Sequence, residues 1–324
     1  FYADSPVVRL AEAPRDGELL LRRSRAPSDG LNLYVLAAAD GAQARLVAVL
    51  DNLSRGRRPW LPPAAELHEL DIRDGAALGR ALRQTGPEIV VHLAAMHFIP
   101  AVEDAPKLAW DVNVTGTRAL LEALAPTPPK ALLFASTAAV YPDRPGPIDE
   151  SCLPAPIDLY GRTKLEGERL VKQFAKQTGT RSIAARIFNV IGRRETNPHV
   201  VPELVDQLRQ GRTSVRLGSL DRRRDYTDVR DVATALHQLL TSPPNPIETF
   251  NLGSGRSVSV AELVDTCEEV LGRPIEITVE QRRVRAQDRA ELMADARLLR
   301  ESTVWRPVRS LRDTLATLLM EPTC

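Results

Sequence analysis

The stretch ALLFASTAAVY (131–141) decides the fold. It opens on five apolar residues with no polar alternation and reaches Ser136 and Thr137 only at its sixth and seventh positions. A strand with one wet face alternates apolar and polar residues, whereas a short unbroken apolar run reads as a strand covered on both faces. LVAVL (46–50), HELDI (68–72), EIVVHLAA (88–95) and SIAARIF (182–188) have the same character. Covering both faces takes helices, and these lie between the runs. DGAALGRALRQTG (74–86), LAWDVNVTGTRALLEALA (108–125) and YGRTKLEGERLVKQFAKQTG (160–179) repeat apolar residues at helical spacing. Alternating strands and helices predict an α/β protein with a Rossmann-like, doubly wound parallel sheet. After residue 188 the rhythm loosens. VVPELVDQLRQG (200–211), VRDVATALHQLL (229–240) and VSVAELVDTCEEVLG (258–272) read as helices between Arg- and Pro-containing loops. The expected division is a sheet-forming Rossmann-like unit over 1–188, with 1–45 atypical, and a smaller lobe over 189–324.

The chemistry begins just downstream, in LYGRTK (159–164). Tyr160 and Lys164 are four residues apart and share a helix face. A phenol titrates near ~10 in water, too high for a base at neutral pH. A neighbouring ammonium favours the phenolate, so Lys164 would lower Tyr160 toward general acid/base work. Such a pair also occurs on solvated helix faces; the hydroxyl residues closing the preceding strand give it a chemical context.

Composition excludes several other classes. The 324 residues carry a net charge of +1, which gives no general pull toward nucleic acid or anionic membranes. No apolar run approaches the ~20 residues that span a bilayer, and no basic segment leads into an apolar core at the start. Cys152, Cys267 and Cys324 are scattered and read as free thiols of a reducing, cytoplasmic setting. His68, His92, His97, His199 and His237 fall on separate elements without a carboxylate partner at ligand spacing, so no metal site is expected.

The opening residues fit a dinucleotide-binding turn poorly. Such a turn is a strand running into a glycine ladder, with an acidic residue about 20 positions on. Asp51 supplies the acid at the end of LVAVLD. Counting back reaches Gly30, flanked at three-residue spacing by Pro27 and Leu33, so one glycine of three remains. The preceding LLLRRSRA is too basic for a central strand.

From Val49 to about Thr314 the chain resembles the extended short-chain dehydrogenase/reductase family, and within it the nucleotide-sugar epimerases that act at C4 of UDP-glucose and UDP-galactose. The resemblance rests on VLDNLSRG, ELDIRD, VVHLAA, NVTGT, FASTAAVY, YGRTK, ARIFNVIG, RRDYTDVRDVA, NLGSG and RAQD, in that order. It implies NAD as cofactor. Gly30, Asp51, Asn52, Asp71, Ile72, Leu93, Ala94, Ala95 and Asn113 would line the dinucleotide, together with Tyr160 and Lys164. Asp51 would accept from the adenosine ribose hydroxyls. Thr137, Tyr160 and Lys164 would be catalytic, with Ser136 as Thr137's alternate. His97, Asn189, Arg224 and Arg285 would face a UDP-, dTDP- or GDP-linked sugar, arginine's fork suiting phosphate oxygens. Ala138 and Ala139 stand where related dehydratases and decarboxylases carry acids, which leaves C4 epimerisation, or reduction of a 4-ketosugar by NAD(P)H. A member that keeps the fold without binding cofactor is the third reading. A homodimer is also implied, paired through the apolar stripes of 108–124 (Leu120, Leu121, Leu124) and 159–176 (Leu165, Leu170, Phe174).

Overall fold

The computed structural model describes residues 8–9, 18–19, 33–37 and 46–320 except 62, 194, 196, 245–248 and 285–287. In chain order the first strands are β1 (Val8–Arg9), β2 (Glu18–Leu19), β3 (Leu33–Ala37), β4 (Leu46–Asp51) and β5 (Ala65–Glu69). Helix α1 (Gly75–Thr85), β6 (Ile89–His92), and the short helices α2 (Ile99–Asp104) and α3 (Pro106–Trp110) follow. Then come α4 (Gly116–Leu124), β7 (Ala131–Thr137), β8 (Pro147–Ile148), α5 (Leu159–Thr178), β9 (Arg181–Ile187) and β10 (Asn189–Ile191). The remainder comprises α6 (Val200–Arg209), β11 (Ser214–Leu217), β12 (Arg223–Asp228), α7 (Val229–Thr241), β13 (Thr249–Leu252) and β14 (Ser257–Ser259). It ends with α8 (Val260–Leu271), β15 (Glu276–Val279), β16 (Glu291–Ala294), α9 (Arg297–Ser302) and α10 (Leu311–Met320).

Seven strands form the main sheet in the order β13-β9-β7-β6-β3-β4-β5. The order reverses between β3 and β6, which is where a doubly wound sheet opens its ligand crevice at the strands' carboxyl ends. All neighbouring pairs are parallel except those of β3, which runs antiparallel to both β4 and β6, with Leu33 opposite Leu50 and His92. The expected order of strand then glycine is inverted here: the apolar run LYVLA follows Gly30, and it fills the central slot from the opposite direction. Gly30 itself lies outside the described residues. So does Arg285.

Both faces of the sheet are buried, as its apolar strands require. On one side α1, α4 and α5 pack Leu78, Leu82, Leu120, Leu170 and Phe174 against Leu50, Val90 and Phe134. On the other, Leu236 and Leu239 of α7 meet Val91, Leu133, Phe250 and Trp305. The stripes Leu120, Leu121, Leu124, Leu170 and Phe174 are therefore spent inside the chain, and they lend a homodimer no support. The smaller lobe builds its own core from α6, α8 and α10 around Leu204, Leu263 and Leu315. Its hub is the buried Asp225 carboxylate, which accepts from the backbone N–H of Ser254 (2.7 Å), Gly255 (2.8 Å) and Ala294 (3.1 Å). Yet α7 and β13, both beyond residue 189, belong to the main sheet's layers.

Two expected elements differ. The strand read over 68–72 is Ala65–Glu69, which leaves Asp71 and Ile72 past its end. The helix read over 108–125 is continuous over 106–124 but widens to a π-helical turn over Asp111–Thr115. No helix among the described residues is long and apolar enough to cross a membrane.

Candidate active site

The site gathers at the carboxyl edge, where β7 ends in Thr137 and α5 begins. Asp158 caps α5, its Oδ1 accepting from Gly161 N at 2.7 Å. The cap satisfies one of the helix's orphan amides and fixes where the first turn starts. That turn lies directly on the loop after Thr137: a Cβ added at Gly161 would sit 2.2 Å from the Ala139 carbonyl oxygen. The approach sets the Thr137 hydroxyl beside the Tyr160 phenol, near enough to favour its ionised form. Thr137 also accepts from Ala139 N at 3.1 Å, which orients its side chain. One turn on, Lys164 is 2% exposed, its Nζ 4.1 Å from the centre of the Phe134 ring. Thr137, Tyr160 and Lys164 are thus brought together.

Burial dominates the electrostatics. It lifts the Tyr160 phenol well above its ordinary range; the Thr137 hydrogen bond opposes the rise and the Asp158 charge adds to it. Burial likewise pulls Lys164 down to about 7, against the attraction of Glu168. The expected lowering of the tyrosine by the lysine is not seen here: desolvation is the largest influence on the phenol, and Lys164 is not among the groups that move it. Beneath them, fully buried His92 is held far below its usual value by burial and by Lys164, its Nε2 bonded to Thr117 Oγ1 at 2.8 Å. A neutral imidazole there adds no cationic repulsion.

Asn113 is expected to contact the dinucleotide, but its amide is consumed by the protein. Its Oδ1 accepts from Met96 N (2.6 Å), while Nδ2 donates to Met96 O (2.9 Å) and Thr163 Oγ1 (2.9 Å). Both donor hydrogens are used. Asn113 is a scaffold that ties the loop after β6 to α5, and the wide helical turn at 111–115 is what aims it there. Ser136 is corrected in the same way. Its hydroxyl donates to Glu168, which Arg186 holds through two further bonds (2.9 and 2.8 Å), on the face of β7 opposite Thr137.

At the far end, Asp51 is buried at the tip of β4 and accepts from Leu53 N at 2.9 Å. Leu53 takes the left-handed φ of 53°, and Gly56 packs so closely that a Cβ would lie 2.1 Å from Asp51 Oδ2. Asn52 accepts from Ser54 and donates to Asp71. Arg73 grips the Asp71 carboxylate and holds it at about 2. Ile72 packs on Gly116, and Ala94 and Ala95 are buried small residues just past β6, beside partly buried Leu93. The residues present fit a dinucleotide at its ribose–nicotinamide end. Lys164 is a buried residue whose Nζ has no hydrogen-bond acceptor among the described residues, a need that ribose hydroxyls would meet.

On the substrate side, His97 Nε2 lies 2.9 Å from Asn197 Nδ2, and His199 stands edge-on to Phe98 at 5.2 Å. The Asn189 side chain, at the start of β10, makes no hydrogen bond to a described residue. Arg224 pairs with Asp288 (2.5 Å) and donates to the carbonyl of Arg289 (2.9 Å), leaving its Nε–H uncommitted. Sequence reasoning missed Asp158, Glu168, Arg186 and Arg289. Asp158 carried a readable signal, an Asp before a helix; Arg289 carried none.

Comparison with known proteins bears on this arrangement. The model of the NAD dependent epimerase/dehydratase family matches residues 29–253. The UDP-glucose 4-epimerase of Streptomyces lividans is 35% identical over 281 residues, covering 82% of this chain and 84% of that protein. The UDP-glucose 4-epimerase of Thermotoga maritima, solved with UDP-glucose, superposes with a TM-score of 0.78 at 28% identity over 84% of this chain and 89% of its own. That of Thermus thermophilus, solved with NAD, gives 0.77 at 27% identity, with coverages of 84% and 89%.

Proposed function

The chain belongs to the NAD-dependent epimerase/dehydratase family, and from that membership we propose that it epimerises a UDP-linked sugar at C4 with NAD. The observation that carries this is the assembly of Thr137, Tyr160 and a buried, acceptor-free Lys164 at the sheet's carboxyl edge. When bound, the dinucleotide supplies reversible two-electron oxidation of the sugar's C4 carbinol. Thr137 orients the C4 hydroxyl by sharing the Tyr160 hydrogen bond. Tyr160 accepts that hydroxyl's proton and later returns it, and protonated Lys164 offsets the phenolate charge and binds the ribose hydroxyls. Asn189, Arg224 and Arg285 would hold the nucleotide diphosphate, Arg224 through its uncommitted Nε–H. Ala138 and Ala139, both buried, offer no group to move the protons that dehydration would need.

Incubating the purified chain with NAD and UDP-glucose should yield UDP-galactose. Tyr160→Phe should lower turnover by ~10²–10⁴-fold, the usual worth of a general acid/base, with an unchanged melting profile. No interconversion of any UDP-, dTDP- or GDP-sugar would overturn the reading.

A further inference from the structure

We propose that Arg289 is a positioning residue, the clamp that seats the first turn of the catalytic helix α5 against the Thr137 loop; this rests on the function proposed above. Arg289 comes from the segment before β16, far in sequence from both parts it joins, and is 6% exposed. Its Nη1 donates to Asp158 Oδ2 at 2.8 Å. Its Nη2 donates to the carbonyls of Ala139 at 2.9 Å and Tyr141 at 3.2 Å. One planar guanidinium therefore binds the cap of the helix carrying Tyr160 and Lys164 and the loop that follows Thr137. Those are the two segments whose relative placement sets the Thr137–Tyr160 contact. The same residue's carbonyl accepts from Arg224, and Asp288 beside it pairs with Arg224, so the clamp is continuous with the proposed diphosphate reader.

Stability alone is a poor reason to keep this group. Its Nε–H is buried with no acceptor among the described residues, and an apolar side chain of similar volume often replaces a buried ion pair without loss. Charge gives it a second task. The Asp158 carboxylate opposes ionisation of the Tyr160 phenol, and Arg289 sits on that carboxylate. The other charged groups around Tyr160 are Lys164, one turn on, and Glu103 of α2, which accepts from Leu159 N at 3.1 Å. Both stay in place in the variants below.

The test compares Arg289→Met, Arg289→Lys and Asp158→Asn in the full chain, with two readouts. Amide hydrogen exchange over 159–163 and 138–141 should quicken by about tenfold or more in Arg289→Met, be partly restored in Arg289→Lys, and stay unchanged in α8 as internal control. In the pH profile of turnover, the limb that rises as Tyr160 loses its proton should move up by about half a unit or more in Arg289→Met and down in Asp158→Asn. Asparagine keeps the helix cap, so Asp158→Asn carries both readouts if Arg289→Met does not fold. Damage to structure alone would lower turnover without moving the limb in opposite directions. Unchanged exchange in both segments, or an unmoved limb in a chain that does epimerise, overturns the proposal. If wild type turns over no nucleotide sugar, the function reading falls and the exchange readout still decides Arg289.

Discussion

Lys164 shows most directly what burying an ionisable residue costs. Its folded value of about 7 lies below the ordinary 10.5. At pH 7 and below, the unfolded chain holds this proton in water while the folded chain holds it in a buried site, so folding is penalised in full. As pH rises from 7 toward 10.5 the folded lysine has lost its proton and the unfolded one has not. Stability then rises with pH, and the penalty is gone above that window. Lys164→Met removes the charge and keeps an unbranched side chain. It should stabilise the chain by about 2 kcal/mol or more at pH 7, with the advantage shrinking toward pH 10, while turnover is lost. Urea unfolding of both proteins across that range measures it; a destabilised variant, or a gap that ignores pH, contradicts the burial argument. Tyr160 and Lys164 were readable as a helix-face pair. The direction of their electrostatics was not, because Lys164 is buried against Phe134 of the sheet beneath, 30 residues away in sequence.

Among the elements, α5 was legible almost to the residue: expected over 160–179, it spans Leu159–Thr178, bounded by Asp158 and by Gly179 in the left-handed conformation. Strong caps and an unbroken periodicity made it so. The helix before it was legible in extent, expected over 108–125 and helical over 106–124, but its widened turn at Asp111–Thr115, where Asn113 bonds the Met96 backbone, was not. Strand β3 escaped for another reason. The usual motif runs a strand into its glycine, and here the strand comes after Gly30 in the sequence. The junction of α5 with the Thr137 loop gives a sharp prediction. Gly161→Ala would press a methyl into the Ala139 carbonyl and, at 2.8 Å, onto Pro156 Cβ. The obstacle on one side is backbone, so the first turn must lift. The expected cost is ~1–3 kcal/mol of stability and a more than tenfold loss of turnover, since small misplacements of reacting groups are expensive. Melting and steady-state rates check it; a variant with wild-type rates would show that the contact does not set the site.

At the scale of the whole molecule, the elements after residue 189 are shared between the smaller lobe's core and the main sheet. Strand β13 closes the main sheet's edge beside β9, and α7 covers one of its faces. The last connection comes back to the same place. Trp305 is 1% exposed and packs among Leu236, Leu239, Phe250 and Leu299, its indole N–H donating to the Asp231 carbonyl at 2.8 Å. The Asp231 carboxylate then accepts from the backbone N–H of Val308 (3.0 Å) and Arg309 (2.9 Å) and from the Arg309 guanidinium (2.7 Å). The segment before α10 is thereby stapled to the helix that covers the sheet, while α10 itself completes the smaller lobe's core through Leu315. Two lobes linked through this buried tryptophan and the Asp231 bonds should unfold together. Trp305→Ala is therefore expected to cost ~3–5 kcal/mol, the usual loss for a buried tryptophan, in a single transition seen alike by far-ultraviolet dichroism and by fluorescence of Trp60 and Trp110. If the lobes were independent, the variant would melt in two steps, with the α6, α8 and α10 core persisting after the sheet is lost. Coincident curves, both shifted down, would mark the C-terminal segment as part of the main sheet's core.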